Sequence, residues 1–442
     1  MEIIVLIPGI LCVVALLRWT TQRAFLDVCL PVLMLVPTDY FWKIASLPPI
    51  SFIEAAMVPL GAGMVLTNLS HWRFSRADIW VAIFVFTAGY ADYRVGRTTT
   101  SMFGVFQVVA TGLIPYMAGK LLIEQPGARV KTIRRFVWLL FAASIPSMYE
   151  YFMKANPFSY FWSHFFPYQW NGWVTQIRWG FGRVAGPYSQ SELAGMVLFT
   201  GLVLALWLSN WGYWESKFKQ LRSLPLKKAT VITATLALTL FMTQARGPWF
   251  GAILAWSIAF IGCADNLLRR SLIVGGIALA IGLPGYVSAK QYLNSATTSS
   301  EQQTAQYRQQ LTENYLPVAE LGGAWGWGMN FPRVGGQNSI DNEYLFVYLV
   351  QGYMGLIALV LLMLEGAASL LIAGLRATLK EDRHFSFSLL GILAGFVLTL
   401  GTVFLGSQAY VIFFMLIGWS QAIRVSQPDE VTYAPKVLQE YM

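Results

Sequence analysis

The feature that most constrains this chain is a series of apolar segments, each roughly 16–23 residues long, that recurs along its whole length. At a rise of about 1.5 Å per residue, a helix of that length crosses a hydrocarbon core of about 30 Å. Lipid offers no partner to backbone N–H and C=O groups, so each segment is expected to form a helix that satisfies them internally. The candidate spans are residues 3–19, 24–42, 52–69, 78–93, 101–122, 133–153, 189–210, 229–245, 248–264, 271–287, 343–365, 386–405 and 407–423.

Composition supports this interpretation. Of the 442 residues, 56% are hydrophobic and only 12% are charged, which is too little charge to cover a soluble globule of this length. The sequence therefore predicts one all-α polytopic membrane domain over residues 1–442, with about 12–13 transmembrane helices. The second span is the least regular, because Pro31, Pro37 and Asp39 interrupt it.

The basic residues predict which loops face the cytoplasm. If loops are assigned alternately with the N-terminus outside, one set holds 21 of the 31 Lys and Arg residues and the other holds 10. By the positive-inside rule the richer set is cytoplasmic, together with a polar tail over residues 425–442. Two long connections, 154–188 and 288–342, then lie on the outer, periplasmic side.

Neither a nucleic-acid partner nor a metal site is predicted. The net charge of +9 follows the loop asymmetry of a membrane protein, so it gives no reason to expect nucleic acid. The cysteines fall in or beside apolar spans and the histidines are scattered without ligand spacing, so we predict no metal and no other cofactor. These residues are Cys12, Cys29, Cys263, His71, His164 and His384.

The connection 154–188 carries twelve aromatic residues, among them Trp173, Trp179 and Tyr188. Trp and Tyr at this position are typical of an interfacial belt. Twelve rings exceed what anchoring requires, and rings can also stack on the faces of sugars. Both interpretations stay open, and the second makes these three residues candidates for substrate binding.

Arginines precede two of the predicted outer helix starts. Arg183 stands before the seventh span, where Ser189 and Glu192 have capping-box spacing. Arg246 stands before the ninth, where Pro248 suits the first helical position. Helix N-termini present unpaired N–H groups and partial positive charge, so an anion such as a diphosphate is a natural ligand there. The alternative is that these arginines reach to lipid headgroups.

Asp341 precedes the eleventh span and has two interpretations. It could be the N-cap of that helix, with Asn342 assisting. It could instead be a general base that accepts the proton of a sugar hydroxyl as that oxygen attacks. The two roles are compatible.

Several short motifs together resemble the O-antigen ligase and polymerase superfamily. They are Thr243-Gln244-Ala245-Arg246-Gly247-Pro248-Trp249, Tyr307-Arg308, Trp325-Gly326-Trp327-Gly328, Asp341-Asn342-Glu343-Tyr344-Leu345 and Gly352-Tyr353-Met354-Gly355-Leu356. Arg183 through Ala194 is similar to the family's earlier motif. The similarity covers roughly residues 175–365.

The resemblance implies a fold of the GT-C kind and a metal-independent glycosyltransferase of the bacterial inner membrane with its active site facing the periplasm. Its donor would be a glycan on undecaprenyl diphosphate. Residues matching Arg183 and Arg246 would hold the diphosphate, and Asp341 stands where the ligases commonly have histidine. Further candidates for substrate binding in or beside the motifs are Arg178, Arg308, Asn342 and Tyr344.

The aspartate at position 341 favours a polymerase that extends an exopolysaccharide or O-antigen over a ligase that transfers finished glycan to lipid A core or protein. Membrane lipid, the lipid-linked glycan and a chain-length regulator are the candidate partners. A transporter is the competing class. Such folds usually carry internal pseudo-symmetry and paired broken helices, and the sequence has no detectable repeat.

Overall fold

The computed structural model describes residues 2–43, 47–169, 174–214, 227–293, 300–335, 337 and 339–425. It is 76% helical, and the strands described form two small two-stranded sheets. The protein is an all-α polytopic membrane protein, as its apolar segments predict. The predicted tail falls almost wholly outside the described residues.

The α-helices described are α1 (Ile7–Arg18), α2 (Thr21–Ala24), α3 (Leu30–Leu35), α4 (Phe52–Thr67), α5 (Arg76–Arg94), α6 (Thr98–Val108), α7 (Ile114–Leu121), α8 (Ala128–Met153), α9 (Pro157–Ser163), α10 (Ser191–Asn210), α11 (Lys228–Met242), α12 (Arg246–Gly262), α13 (Leu267–Leu293), α14 (Ser300–Gly322), α15 (Glu343–Arg376), α16 (Lys380–Leu400) and α17 (Ser407–Val425). One-turn π segments, Phe25–Cys29 and Val109–Leu113, join α2 to α3 and α6 to α7. Short 3₁₀ segments are Glu2–Leu6, Leu69–His71 and Gly328–Asn330. The strands are β1 (Phe41–Trp42), β2 (Ile50–Ser51), β3 (Ile177–Arg178) and β4 (Phe181–Gly182), paired antiparallel as β1–β2 and β3–β4.

Every predicted span overlaps a helix, and the second differs most from its prediction. Its helix ends at Leu35 instead of residue 42, because Val36 is extended before Pro37 and Phe41–Trp42 form β1. Among the described residues, five helices are long and apolar enough to cross a membrane. They are Thr98–Leu121, Ala128–Met153, Ser191–Asn210, Glu343–Arg376 and Lys380–Leu400.

The connections between helices gather at two ends of the bundle. One end, here called the basic end, is held by ion pairs such as Lys120 to Asp78 at 2.6 Å and Arg129 to Asp382 at 2.5 Å. The other, here called the loop end, contains the connections 36–51, 154–190, 243–245, 323–342 and 401–406. Both long connections of the sequence contain helix: α9 lies in the first, and α14 lies in the second.

Helix α15 is interrupted at Gly352, whose φ of 71° and ψ of −171° are not helical. Such a break leaves backbone groups without their partners in the helix, which costs most in an apolar surrounding. The glycine-rich run, residues 322–328, supplies the missing partners. Trp327 N donates to Leu349 O at 2.8 Å, while Tyr353 N and Met354 N each donate at 3.2 Å, to Gly323 O and Ala324 O.

Contacts with α5 hold the glycine-rich run against this break. The Arg94 guanidinium donates to Gly326 O at 2.7 Å, and the Asp92 carboxylate accepts from Met329 N at 3.2 Å. Thr87 on the same helix donates to Gln351 Oε1 at 2.9 Å. The motifs Trp325–Gly328 and Gly352–Leu356, which are separate in sequence, thus share one structural role. Together they provide hydrogen-bond partners for the backbone of the interrupted helix.

We predict that Gly352→Ala destabilises the protein. A Cβ there would collide with Ala324 O and Gly326 N, and this backbone conformation is nearly exclusive to glycine. The expected cost is about 1–3 kcal/mol or more, measured as a lower midpoint of thermal unfolding in detergent.

Gly275→Ala on α13 is the matched control, because nothing lies within 4 Å of a Cβ there. It should leave the midpoint unchanged or raise it slightly. Equal midpoints for the two variants would contradict this account of the break.

Candidate functional site

Three arginines belong to the first candidate site, at the loop end between α11 and α12. We call it the arginine turn, and it consists of residues 243–246 with Arg178 and Arg183. Arg183 Nε donates to Thr243 O at 3.3 Å, and Arg178 Nη1 donates to Gln244 O at 2.7 Å. Gln244 has a positive φ of 51°, which is uncommon for a residue other than glycine.

A short hairpin brings Arg178 to this turn. Strands β3 and β4 are joined by Trp179 and Gly180, both with positive φ, as a two-residue hairpin with the usual strand twist requires. The chain then docks on the end of α11 through Val184 N, which donates to Met242 O at 3.1 Å. Arg178 on β3 is therefore fixed beside α11 and α12.

Arg183 is buried, with 6% of its surface exposed, and each of its three guanidinium nitrogens donates a hydrogen bond. In addition to Thr243 O, the acceptors are Gln176 Oε1 and, at 2.6 Å, Glu192 Oε1. Such an arginine holds the turn against α10. In this structure it therefore fixes the shape of the turn.

The prediction of a capping box at Ser189 and Glu192 is wrong. The N-cap of α10 is Gln190, and its side chain makes no capping hydrogen bond. Ser189 Oγ instead donates to both oxygens of Asp39, at 2.9 and 3.1 Å, and Glu192 pairs with Arg183. Both side chains make tertiary contacts that local spacing does not reveal.

Arg246 is the first residue of α12 and is exposed. Pro248 is the third residue of that helix, so its predicted place as the first is wrong. Three guanidinium groups lie at the turn, beside the N-terminus of α12, and that of Arg183 pairs with Glu192. The buried side-chain amide of Gln244 has no hydrogen-bond partner among the described residues.

Aromatic rings continue from the arginine turn. Trp179 is 56% exposed, and its ring centroid lies 6.3 Å from that of Trp249. Trp249 in turn stacks on Phe241 at 5.2 Å with nearly parallel planes. Tyr188 is different: it is buried in the core and donates to Met34 O. Trp173 lies outside the described residues.

The remaining predicted site residues lie near the start of α15 and on α14. Asn342 is the N-cap of α15, because its Oδ1 accepts from Leu345 N at 3.2 Å. Asp341 is half-buried and accepts from Ser339 Oγ at 2.6 Å, so the interpretation of Asp341 as the N-cap is wrong. Tyr344 donates to Val397 O at 2.8 Å, which fixes α15 to α16, and Arg308 is half-buried on α14.

A cavity of about 410 Å³ is the second candidate site at the loop end. It lies between the parts of α4, α5, α6, α10, α15 and α17 nearest the loop end, and none of the described site residues named from the sequence lines it. Within the described residues its lining contains three carboxylates and no Lys or Arg, and we call it the carboxylate cavity. The polar residues that line it are Thr38, Asp39, Ser51, Glu54, Gln107, Thr111, Ser189, Gln190, Glu343, Gln351 and Tyr410.

The three carboxylates of this cavity are largely buried. Glu54 Oε2 accepts from Ser51 N and Oγ in a capping box at the start of α4. Glu343 Oε2 accepts from Leu405 N at 2.8 Å. Burial raises the pKa of the Asp39 carboxyl, although its hydrogen bond from Ser189 opposes the shift.

Sequence reasoning missed this group, because it considered Asp39 only as an interruption of the second span and named neither Glu54 nor Glu343 as a site residue. The available signal was the presence of Glu54 and Glu343 at the starts of apolar helices, where an ionisable residue is a functional candidate. Within the described residues, no set of three or more His, Cys, Asp or Glu side chains could hold a metal ion.

We predict that Arg183→Lys lowers stability. One ammonium group cannot reproduce the geometry by which the guanidinium reaches Thr243 O, Gln176 and Glu192, so buried acceptors lose their donors. The expected loss is about 1–3 kcal/mol, again measured as the thermal midpoint.

Arg333→Lys, at an exposed position of the same end, is the control and should be silent. An unchanged midpoint for Arg183→Lys would mean that the turn does not depend on this guanidinium.

The comparisons with known proteins bear on the same region. A search of curated proteins found no match. A family model described as O-antigen ligase matches residues 231–360, which run from α11 through the turn at residues 243–246 and α14 to α15 beyond its break. Over residues 231–360 this match supports the resemblance of the motifs to the O-antigen ligase and polymerase superfamily.

Proposed function

We propose that this protein is a metal-independent glycosyltransferase of the bacterial inner membrane that acts on the periplasmic side. In this proposal it polymerises oligosaccharide repeats carried on undecaprenyl diphosphate into an exopolysaccharide or O-antigen. The family match suggests a glycosyltransferase-like enzyme, and the observation that carries the rest is the arginine turn.

The arginine turn has the charge and position that a lipid-linked diphosphate needs. Arg246 is the first residue of α12 and is exposed. Arg178 is held two residues before it, because its guanidinium donates a hydrogen bond to Gln244 O. Guanidinium groups can bind neighbouring phosphate oxygens with two parallel hydrogen bonds, and the helix N-terminus adds to their attraction. In the proposed complex Arg246 and Arg178 contact the diphosphate, while Arg183 positions the turn that carries them.

The proposed reaction is a single displacement at the anomeric carbon of the donor sugar. The acceptor hydroxyl oxygen attacks that carbon, the bond from carbon to diphosphate oxygen breaks, and the lipid diphosphate leaves with the electron pair. The configuration inverts. The proton of the hydroxyl passes to Asp341, while the guanidinium groups stabilise the charge that develops on the diphosphate.

Exposed rings beside the turn support a carbohydrate ligand. Trp179 and Trp249 form an aromatic surface next to Arg178, where a sugar on the diphosphate could stack. A ligase that transfers finished glycan to lipid A core or protein is the alternative within this class. The aspartate at position 341 is the feature that favours a polymerase.

An assay of purified protein with lipid-linked repeat units tests the function. A polymerase produces a ladder of longer lipid-linked glycans, whereas a ligase requires a separate acceptor. A transporter moves the lipid without forming a bond. Unchanged substrate, with or without added lipid A core acceptor, would contradict glycosyl transfer.

We predict that Arg246→Ala reduces product formation in this assay by about 100-fold or more, because the charge on the leaving diphosphate loses its main stabilising contact. The thermal midpoint should stay near that of the parent protein, since Arg246 is exposed. Arg333→Ala removes an equally exposed arginine from the same end and should leave product unchanged. Normal product from Arg246→Ala would exclude the proposed diphosphate contact.

Asp341→Asn tests the proposed base. The cap of α15 is Asn342, so this substitution removes no capping bond and should leave the fold intact. We expect activity to fall by about 100-fold or more, because an amide cannot accept the proton. Asn342→Asp is the matched control, since aspartate caps a helix as well as asparagine does. An Asp341→Asn variant that keeps full activity would require another base.

A further inference from the structure

We propose that the carboxylate cavity binds a sugar unit of the acceptor glycan, and that it accepts neutral sugars and amino sugars while rejecting acidic ones. This inference rests on the proposed function, which leaves the nature of the sugar open. The cavity volume of about 410 Å³ lies within the range of small-molecule sites, roughly 300–1,000 Å³.

The walls of the cavity have the mixed chemistry that a sugar requires. Aromatic side chains can pack against the C–H faces of a sugar ring, and amide, hydroxyl and carboxylate groups can pair with its hydroxyls. Both kinds occur around the same space. The aromatic lining residues are Phe41, Phe84, Phe346, Phe404 and Tyr410.

Two of the carboxylates keep an oxygen for a ligand. Glu54 and Glu343 are at least 96% buried, and all their hydrogen bonds within the described structure are made through Oε2. Oε1 of each can therefore accept a hydrogen bond from a sugar hydroxyl. A hydroxyl-rich ligand in the cavity can donate hydrogen bonds to both of these oxygens.

The charge of the lining determines which sugars fit. Asp39, Glu54 and Glu343 are the ionisable residues of the described lining, and all three are acidic. When these carboxyl groups are ionised, like charges repel, so an acidic sugar would meet an unfavourable potential. The ammonium group of an amino sugar would meet a favourable potential. The same potential keeps the diphosphate away from the cavity and leaves it to the arginine turn.

The cavity is adjacent to the residues proposed for the reaction. Ser189 and Gln190 line it, and Glu192 in the same turn of α10 pairs with Arg183. On another side, Phe404 to Gly406 line the cavity, and Thr402 lies against Gly247 of α12. Glu343 lines it two residues after Asp341. A sugar in the cavity would thus lie beside the chain segments that carry the proposed base and the proposed diphosphate site.

The test measures binding of three trisaccharides of equal length to the purified protein in lipid nanodiscs. N-acetylchitotriose is neutral, chitosan trisaccharide is cationic and oligogalacturonate trisaccharide is anionic. We expect the first two to bind and the anionic one to bind at least about tenfold more weakly. A response to none of the three, or an equal response to the anionic one, would overturn the proposal.

Two substitutions connect the binding to the cavity. Val108→Trp places a large side chain in its wall and should abolish binding of the neutral trisaccharide. Asp39→Asn keeps an acceptor for Ser189 but removes a charge, so the discrimination against the anionic trisaccharide should fall severalfold. Unchanged selectivity in Asp39→Asn would contradict the electrostatic argument even if Val108→Trp does not fold.

Arg246→Ala separates this inference from the proposed function. It lies outside the cavity lining, so trisaccharide binding should be that of the parent protein while glycan transfer is lost. Loss of transfer without any trisaccharide binding would retain the function and reject the cavity. If Arg246→Ala binds the trisaccharide and still transfers glycan normally, the cavity proposal is retained and the proposed diphosphate contact is rejected.

Discussion

The structure depends on one constraint, which is that backbone polar groups in an apolar helical domain need partners within the protein. Long helices meet it by themselves. The irregular places, the break of α15 at Gly352 and the turn before α12, meet it through groups from distant parts of the chain. Backbone groups of Gly323, Ala324 and Trp327 supply the partners at the first place, and arginine side chains supply them at the second.

This constraint explains why chemistry gathers at the loop end. The interior of a regular helix has no free backbone groups to offer a ligand. Helix breaks and helix ends do have them, and the side chains that hold the backbone in place lie beside them. Three guanidinium groups lie at the arginine turn, and the ionisable residues in the described lining of the carboxylate cavity beside it are all acidic. A donor with a charged diphosphate and an acceptor with an uncharged sugar would be separated by these opposite potentials.

Much of the fold follows from the sequence, because lipid leaves helices as the way for apolar segments of this length to satisfy their backbone. The predicted end of the second span was wrong, because the extended backbone before Pro37 ends the helix before the apolar pattern ends. Sequence spacing also assigned caps wrongly at Ser189 and Asp341. In each case the side chain has a different partner, and in the first it is Asp39 from a distant loop.

The candidate site was predictable only in part. Arg183 and Arg246 stand out because arginines are scarce on that set of loops, and the structure brings both to one turn. That Arg183 is bound to Glu192 and Gln176 could not be deduced from spacing. The carboxylate cavity was not predictable, because its acids come from one loop and two helix starts, 15 to about 300 residues apart in sequence, and converge only through packing.

The most direct test of the account is a structure of the protein with an undecaprenyl-diphosphate-linked oligosaccharide bound. The account predicts phosphate density within hydrogen-bond distance of Arg246 and Arg178, with the carboxylate cavity free of phosphate. Phosphate density inside that cavity, or away from all three arginines of the turn, would contradict it.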